Sequence, residues 1–148
     1  MSRLAEASTT ISAPSQRVLE QFLSVPAMCD WWGAARGLVE ARIGGVWSMA
    51  WEPSPQGYRH VSTGIVTELM PAARLVLESF LYFHPERPVF GPMRVQILAE
   101  GLEMGTLLRV RQEGFGEGED WDWYHDVVMK GWPAALAAVK RSIEARGV

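Results

Sequence analysis

Tryptophan and methionine side chains are the groups of this sequence whose spacing points most clearly to a site. Seven tryptophans occur in 148 residues, more than a core of this size usually needs. In the segment VWSMAWE, strand periodicity places Trp47, Met49 and Trp51 on one face, because alternate side chains of a strand point the same way. Indole and thioether groups adapt to flat apolar molecules, and an indole N–H adds one directional donor. The pattern predicts a ligand cavity, an aromatic core or a dimer interface, since all three use such residues.

Two other segments add candidates to this set. Trp32 ends the run PAMCDWW, and the apolar face of a predicted C-terminal helix carries Tyr124, Val128 and Trp132. If all of these side chains face one concavity, they line a single cavity. The predicted ligand-binding residues are Trp32, Trp47, Met49, Trp51, Tyr124, Val128 and Trp132.

The ionisable residues offer little for catalysis or for metal binding. His60, His84 and His125 are far apart and lack metal-ligand spacing, so we expect no metal and no cofactor. His60 at a strand start and His84 in a Pro-rich loop are expected to be exposed. The best acid or base candidates are His125, its neighbour Tyr124, and Glu113. Nucleotide-binding and hydrolase motifs are absent from the sequence, and we assign no catalytic residue.

The composition is that of a soluble globular protein, with 48% hydrophobic and 21% charged residues. Its length suits one domain spanning residues 1–148. The apolar runs are too short for a bilayer, and the amino terminus lacks a signal-peptide core, so we expect a cytoplasmic protein without membrane insertion. A net charge of -3 argues against a nucleic-acid partner. The lone Cys29 cannot form an internal disulfide and is interpreted as a buried thiol.

Periodicity predicts the elements that would position these side chains. Residues 6–12 form a first strand, and Ser12 is the predicted N-cap of a helix that is followed by a second short helix in PAMCDWW. Residues 37–113 alternate in short segments between turn signals, which predicts five or six antiparallel strands. Gly44 and Gly45 between two of these segments predict a two-residue hairpin turn.

The last predicted element is a long amphipathic helix over residues 120–146, with acidic residues at its start and basic residues at its end. Gly131 and Pro133 lie inside it, at costs of roughly 1 and 3 kcal/mol relative to alanine. We expect Gly131 to let the helix approach its neighbours, and Pro133 to bend or restart the helix along a curved sheet. A straight helix with Gly131 facing solvent would contradict this expectation.

Several short motifs follow one another along the chain: the RIGGVW turn, Gly64 in TGIVTELMP, RLVLES, MGTLLRV followed by QEGF, and GW in the last helix. Together they resemble the START-like, or SRPBCC, superfamily, and within it the branch named after activators of the heat-shock chaperone ATPase. The resemblance implies an α+β helix-grip fold, in which a curved antiparallel sheet wraps around a long C-terminal helix and two short helices follow the first strand. It also implies a hydrophobic cavity between sheet and helix. The sequence departs from the pattern at Glu113-Gly114, where histidine is frequent in similar sequences, and at Pro133 directly after GW.

Three functions follow as alternatives. The first is non-enzymatic binding of a small hydrophobic molecule, such as a lipid, between the sheet and the last helix. The second is a co-chaperone-like protein interaction module that uses the outer sheet surface or the aromatics of DWDWY, and the third is a cyclase or lyase acting on an apolar substrate. The expected partners are a small hydrophobic ligand or a chaperone-like protein, bound by a monomer or a homodimer.

Overall fold

The alternating segments form one antiparallel sheet of seven strands in the order β1-β7-β6-β5-β4-β3-β2. This arrangement comes from a computed structural model that describes residues 3–146. It confirms the predicted α+β helix-grip fold. The elements in chain order are β1 Leu4–Ile11, α1 Ser15–Glu20, α2 Val25–Trp31, β2 Arg36–Val39, β3 Val46–Ser54, β4 Gly57–Met70, β5 Arg74–Phe83, β6 Phe90–Gly101, β7 Thr106–Glu113 and α3 Glu119–Ala145.

The core lies between the sheet and the helices. Alternate residues of β6 and β7 are buried, among them Val95, Ile97, Leu108 and Val110, as expected for a sheet with one face covered. From α3 the buried side chains include Leu136. Burying one such aliphatic side chain contributes about 1.5–3 kcal/mol, so this shared apolar face holds α3 across the sheet.

The sheet bends sharply where β4 and β5 pair. The register shifts between Thr63 and Ile65 on β4, and between Leu77 and Phe80 on β5. Ser79 adopts a φ of 50° at this bulge, and bulges of this kind bend a strand. Gly64 is buried opposite the bulge, and a Cβ there would lie 3.2 Å from the Phe80 ring. The curvature leaves room between the sheet and α3.

Two local predictions near the first turns are wrong. The connection between β2 and β3 is not a two-residue hairpin, because β2 ends at Val39 and β3 begins at Val46. Glu40 organises this longer loop, since its side-chain Oε1 accepts a hydrogen bond from the Val46 N–H at 3.0 Å. The cap of α1 is Pro14 and not Ser12, because proline suits the start of a helix without any side-chain hydrogen bond.

The expectations for Gly131 and for a helix restart at Pro133 are also wrong. α3 continues as one helix through Pro133. Gly131 is exposed, and a Cβ at this position would meet no atom within 4 Å. Close packing therefore does not explain the glycine at this position.

Candidate functional site

A cavity of about 150 Å³ lies between the concave face of the sheet and α3. It forms where the bend of β4 and β5 separates the sheet from the helix. Val127 and Gly131 are exposed on α3 and mark the edge where the cavity meets solvent. The lining residues are Trp32, Trp47, Trp51, Ser62, Phe80, Tyr82, Gln112, Tyr124, Val127, Val128, Gly131 and Trp132.

The structure brings together six of the seven residues predicted from the sequence, namely all except Met49. Met49 is fully buried but packs beside the edge strand, where a Cβ on Gly37 would lie only 2.2 Å from its Sδ atom. Alternation therefore placed Met49 on the correct face of β3. Its position opposite Gly37 directs its side chain into a gap in β2 instead of the cavity.

Two tryptophans of the cavity, Trp47 and Trp51, present ring surfaces and not free donors. Trp47 donates its indole N–H to the Phe22 carbonyl at 2.8 Å, and Trp51 donates to the Trp32 carbonyl at 3.3 Å. A buried indole N–H normally needs such a partner. The N–H groups of Trp47 and Trp51 are thus already used within the protein, and these rings offer apolar contact.

Contacts between aromatic rings hold the lining of the cavity in place. Trp32 lies with its ring centroid 5.2 Å from that of Trp51 in an edge-on arrangement, and 5.6 Å from that of Trp132. Trp47 approaches Phe80 at 6.4 Å. Aromatic pairs in such tilted geometries contribute about 0.5–1.5 kcal/mol each beyond area burial. These ring contacts therefore connect the end of α2, the sheet and α3 around the cavity.

Gln112 supplies the buried polar centre of the site. This β7 residue is 1% exposed, and its Oε1 accepts a hydrogen bond from the Trp132 indole N–H at 2.8 Å. Its Nε2 donates to the Tyr124 hydroxyl at 3.0 Å and contacts the Met93 sulfur at 3.3 Å. Because an indole nitrogen can only donate, the amide orientation is fixed by Trp132. Sequence analysis missed Gln112, since an amide in RVRQEGF carries no motif.

Burial changes the acid–base properties of the two cavity tyrosines. Burial raises the pKa of Tyr124 far above its ordinary value, although the hydrogen bond from Gln112 opposes this shift. Burial, followed by the negative charge of Glu52, raises the pKa of Tyr82 to about 12. Both phenols are therefore protonated at neutral pH, and the rings stack with centroids 4.7 Å apart.

A polar row from solvent to the cavity was also missed. The Tyr82 hydroxyl lies 2.7 Å from Nδ1 of His60, and Nε2 of His60 lies 3.5 Å from Oε1 of Glu52. His60 is half-buried and not exposed as predicted. Strand pairing creates this row. Trp51, the neighbour of Glu52 on β3, pairs with His60 on β4, and Ser62, two residues after His60, pairs with Tyr82 on β5. Only the register could have revealed it.

The acid or base candidates His125 and Glu113 lie away from the cavity. Nε2 of His125 is 3.2 Å from the Leu4 carbonyl, and the imidazole packs edge-on against Phe115. Glu113 forms ion pairs with Arg94 and Arg111. Of the three groups named from sequence, only Tyr124 lines the cavity.

The aromatic residues of DWDWY serve mainly to attach the start of α3. Trp121 packs edge-on against the buried Phe90 ring at 5.1 Å. Trp123 carries the Arg87 guanidinium 4.2 Å from its ring centroid, and Arg87 also pairs with Asp120 at 3.0 Å. Both indoles are half-buried, so this segment does not form an exposed aromatic patch.

Comparison with known proteins identifies the family and agrees with the fold. The sequence profile described as activator of Hsp90 ATPase homolog 1-like protein matches residues 12–144. The chain belongs to this family. No curated protein matches the chain in sequence.

Solved structures show the family's fold at low sequence identity. A protein from Chromobacterium violaceum is 23% identical with a TM-score of 0.72, and the alignment covers 95% of this chain and 97% of that one. The AHSA1 protein from Silicibacter pomeroyi is 14% identical with a TM-score of 0.76, covering 97% and 99%. The Aha1 dimer from Colwellia psychrerythraea is 13% identical with a TM-score of 0.73, covering 99% of each chain. These similarities establish the fold.

Within residues 3–146, no cluster of three or more His, Cys, Asp or Glu side chains could hold a metal ion. None of the helices described is long and apolar enough to cross a membrane.

Proposed function

We propose that this protein binds a small apolar molecule, about the size of one aromatic ring, in the cavity between the sheet and α3. The observation that carries the proposal is the aromatic lining, in which the indole N–H groups of Trp47, Trp51 and Trp132 all bond within the protein. A ligand would therefore meet mainly apolar ring surface. Ligand sites are typically apolar with a few placed polar groups, and this cavity has that composition.

The volume of the cavity sets the size of the ligand. An apolar cavity of about 150 Å³ can hold a benzene-sized molecule, and this cavity has that volume. The exposed edge at Val127 and Gly131 lets a substituent project toward solvent. Met49, although predicted as part of the site, is proposed to support β3 and not to contact the ligand.

Calorimetric titration with ethylbenzene tests the proposal. Val127 lines the cavity and is 37% exposed, whereas Met129 is 44% exposed on the same helix and does not line it. Val127→Trp should fill the cavity edge and weaken binding by about tenfold or more, which corresponds to losing roughly 1.4 kcal/mol of contact. The matched variant Met129→Trp should bind like the unmodified protein. Equal affinities for both variants, or a failure of both ethylbenzene and its ketone analogue acetophenone to bind, would refute the proposal.

A second candidate function, contact with a chaperone, is suggested by the description of the family. The observation on this chain that favours it is the apolar edge at β2, where Leu38 is 58% exposed and the adjoining loop exposes 69% of Ile43. Exposed apolar groups at a sheet edge suit protein contact. Adding the protein to purified Hsp90 should then raise its ATPase rate, and Leu38→Lys should abolish the increase. An unchanged ATPase rate with the unmodified protein would exclude this function.

A further inference from the structure

The hydroxyl of Tyr124 is a hydrogen-bond donor that has no acceptor among the groups of the cavity. Trp132 fixes the Gln112 amide with Oε1 toward the indole and Nε2 toward Tyr124, so the Tyr124 oxygen accepts that bond. Among residues 3–146, no group accepts a hydrogen bond from the Tyr124 hydroxyl. A buried donor without a partner costs free energy, and Tyr124 is only 3% exposed.

The neighbouring phenol differs, because its proton is already used. Glu52 accepts only, so its position near Nε2 of His60 favours the tautomer with hydrogen on Nε2. Nδ1 of that tautomer is an acceptor, and the Tyr82 hydroxyl donates to it at 2.7 Å. The two stacked phenols therefore play different roles, with only Tyr124 offering a proton to the cavity.

From this difference we infer that the cavity selects a small planar ligand carrying a carbonyl-type oxygen, such as an aromatic ketone, aldehyde or quinone, which accepts a hydrogen bond from Tyr124. This inference rests on the proposed function and specifies its ligand class. The ring of the ligand contacts the indoles, and its oxygen lies toward Gln112 and Tyr124. A hydrocarbon of the same shape leaves the Tyr124 proton without an acceptor.

A shape-matched pair of probes separates the two levels of the proposal. Acetophenone and ethylbenzene differ by a carbonyl in place of a methylene, and the ratio of their affinities cancels differences in cavity shape. Tyr124→Phe should reduce the preference for acetophenone by about threefold to tenfold, the range expected for one neutral hydrogen bond. Tyr58→Phe is the matched control, because this phenol is 37% exposed on β4 and does not line the cavity, and it should leave the ratio within about twofold.

The outcomes distinguish failure of this inference from failure of the proposed function. If neither probe binds, the proposed function fails and the inference with it. If both bind and Tyr124→Phe leaves their ratio unchanged, the ligand-class inference is refuted while the cavity function stands. Infrared spectra of acetophenone with the unmodified protein test the bond without any variant. The carbonyl stretch should move to lower frequency on binding, and a stretch at the frequency seen in hydrocarbon solvent would overturn the inference.

Discussion

Replacing Gly131 by alanine should stabilise the protein, although the glycine lies in the middle of its longest helix. The position has helical backbone and is exposed, and an added methyl group would meet no atom within 4 Å. The substitution therefore removes the helix penalty of glycine, about 1 kcal/mol, without introducing strain. For a chain of 148 residues this gain raises Tm by roughly 2–4 °C.

Thermal and urea unfolding measure this change directly. The matched control is Ala134→Gly, a second exposed position of α3 three residues later, which should lower stability by a similar amount. A loss of stability in Gly131→Ala would refute the reasoning, because it would reveal a neighbour that requires the glycine. Gly131→Leu extends the test to binding, since a branched side chain at the cavity edge should weaken ethylbenzene affinity while Gly131→Ala has a smaller effect.

Two further predictions concern the polar centre of the cavity. Gln112→Leu should destabilise the protein by about 3 kcal/mol in urea unfolding, because the Trp132 indole and the Tyr124 hydroxyl lose their buried partner. A change below about 0.5 kcal/mol, the range of ordinary surface substitutions, would contradict the stabilising role of these hydrogen bonds. Alkaline pH should also destabilise the fold. The pKa of Tyr82 rises to about 12 in the folded protein from an ordinary value near 10, so its contribution is complete below pH 10 and is lost as pH rises toward 12. Tyr82→Phe should make the decrease in Tm between pH 10 and pH 12 less steep. An equally steep decrease in the variant would contradict this prediction.

The sequence predicted the fold well where period and pattern were strong. Alternation in VWSMAWE placed Trp47 and Trp51 on the concave face, and helical spacing placed Val128 and Trp132 opposite them. These positions depend only on the local geometry of a strand or a helix. The resemblance to helix-grip proteins supplied the overall arrangement of sheet and helix.

The polar part of the cavity could not be predicted in the same way. The contact between His60 and Tyr82 joins residues 22 positions apart, and it depends on a register that two bulges shift. Gln112 acquires its role from contacts with Trp132 on a different element. Such roles depend on how strands pair and how α3 lies across them, and no local pattern encodes them.

The role of Gly131 cannot be derived from the local sequence. A glycine inside a helix lowers its stability and commonly indicates a close approach of neighbouring atoms. The structure leaves open space there instead, at the edge of the cavity. A local rule that is broken without a packing gain often marks a functional position, which agrees with the proposed site.

The most direct test of the binding cavity is the indole region of a ¹H–¹⁵N spectrum, recorded as acetophenone is added. The indole signals of Trp47, Trp51 and Trp132 should shift together in a saturable manner, because these residues line the cavity. Those of Trp31 and Trp123, which do not line it, should move little. Saturable shifts confined to Trp31 or Trp123, or no shifts at all, would contradict binding in this cavity.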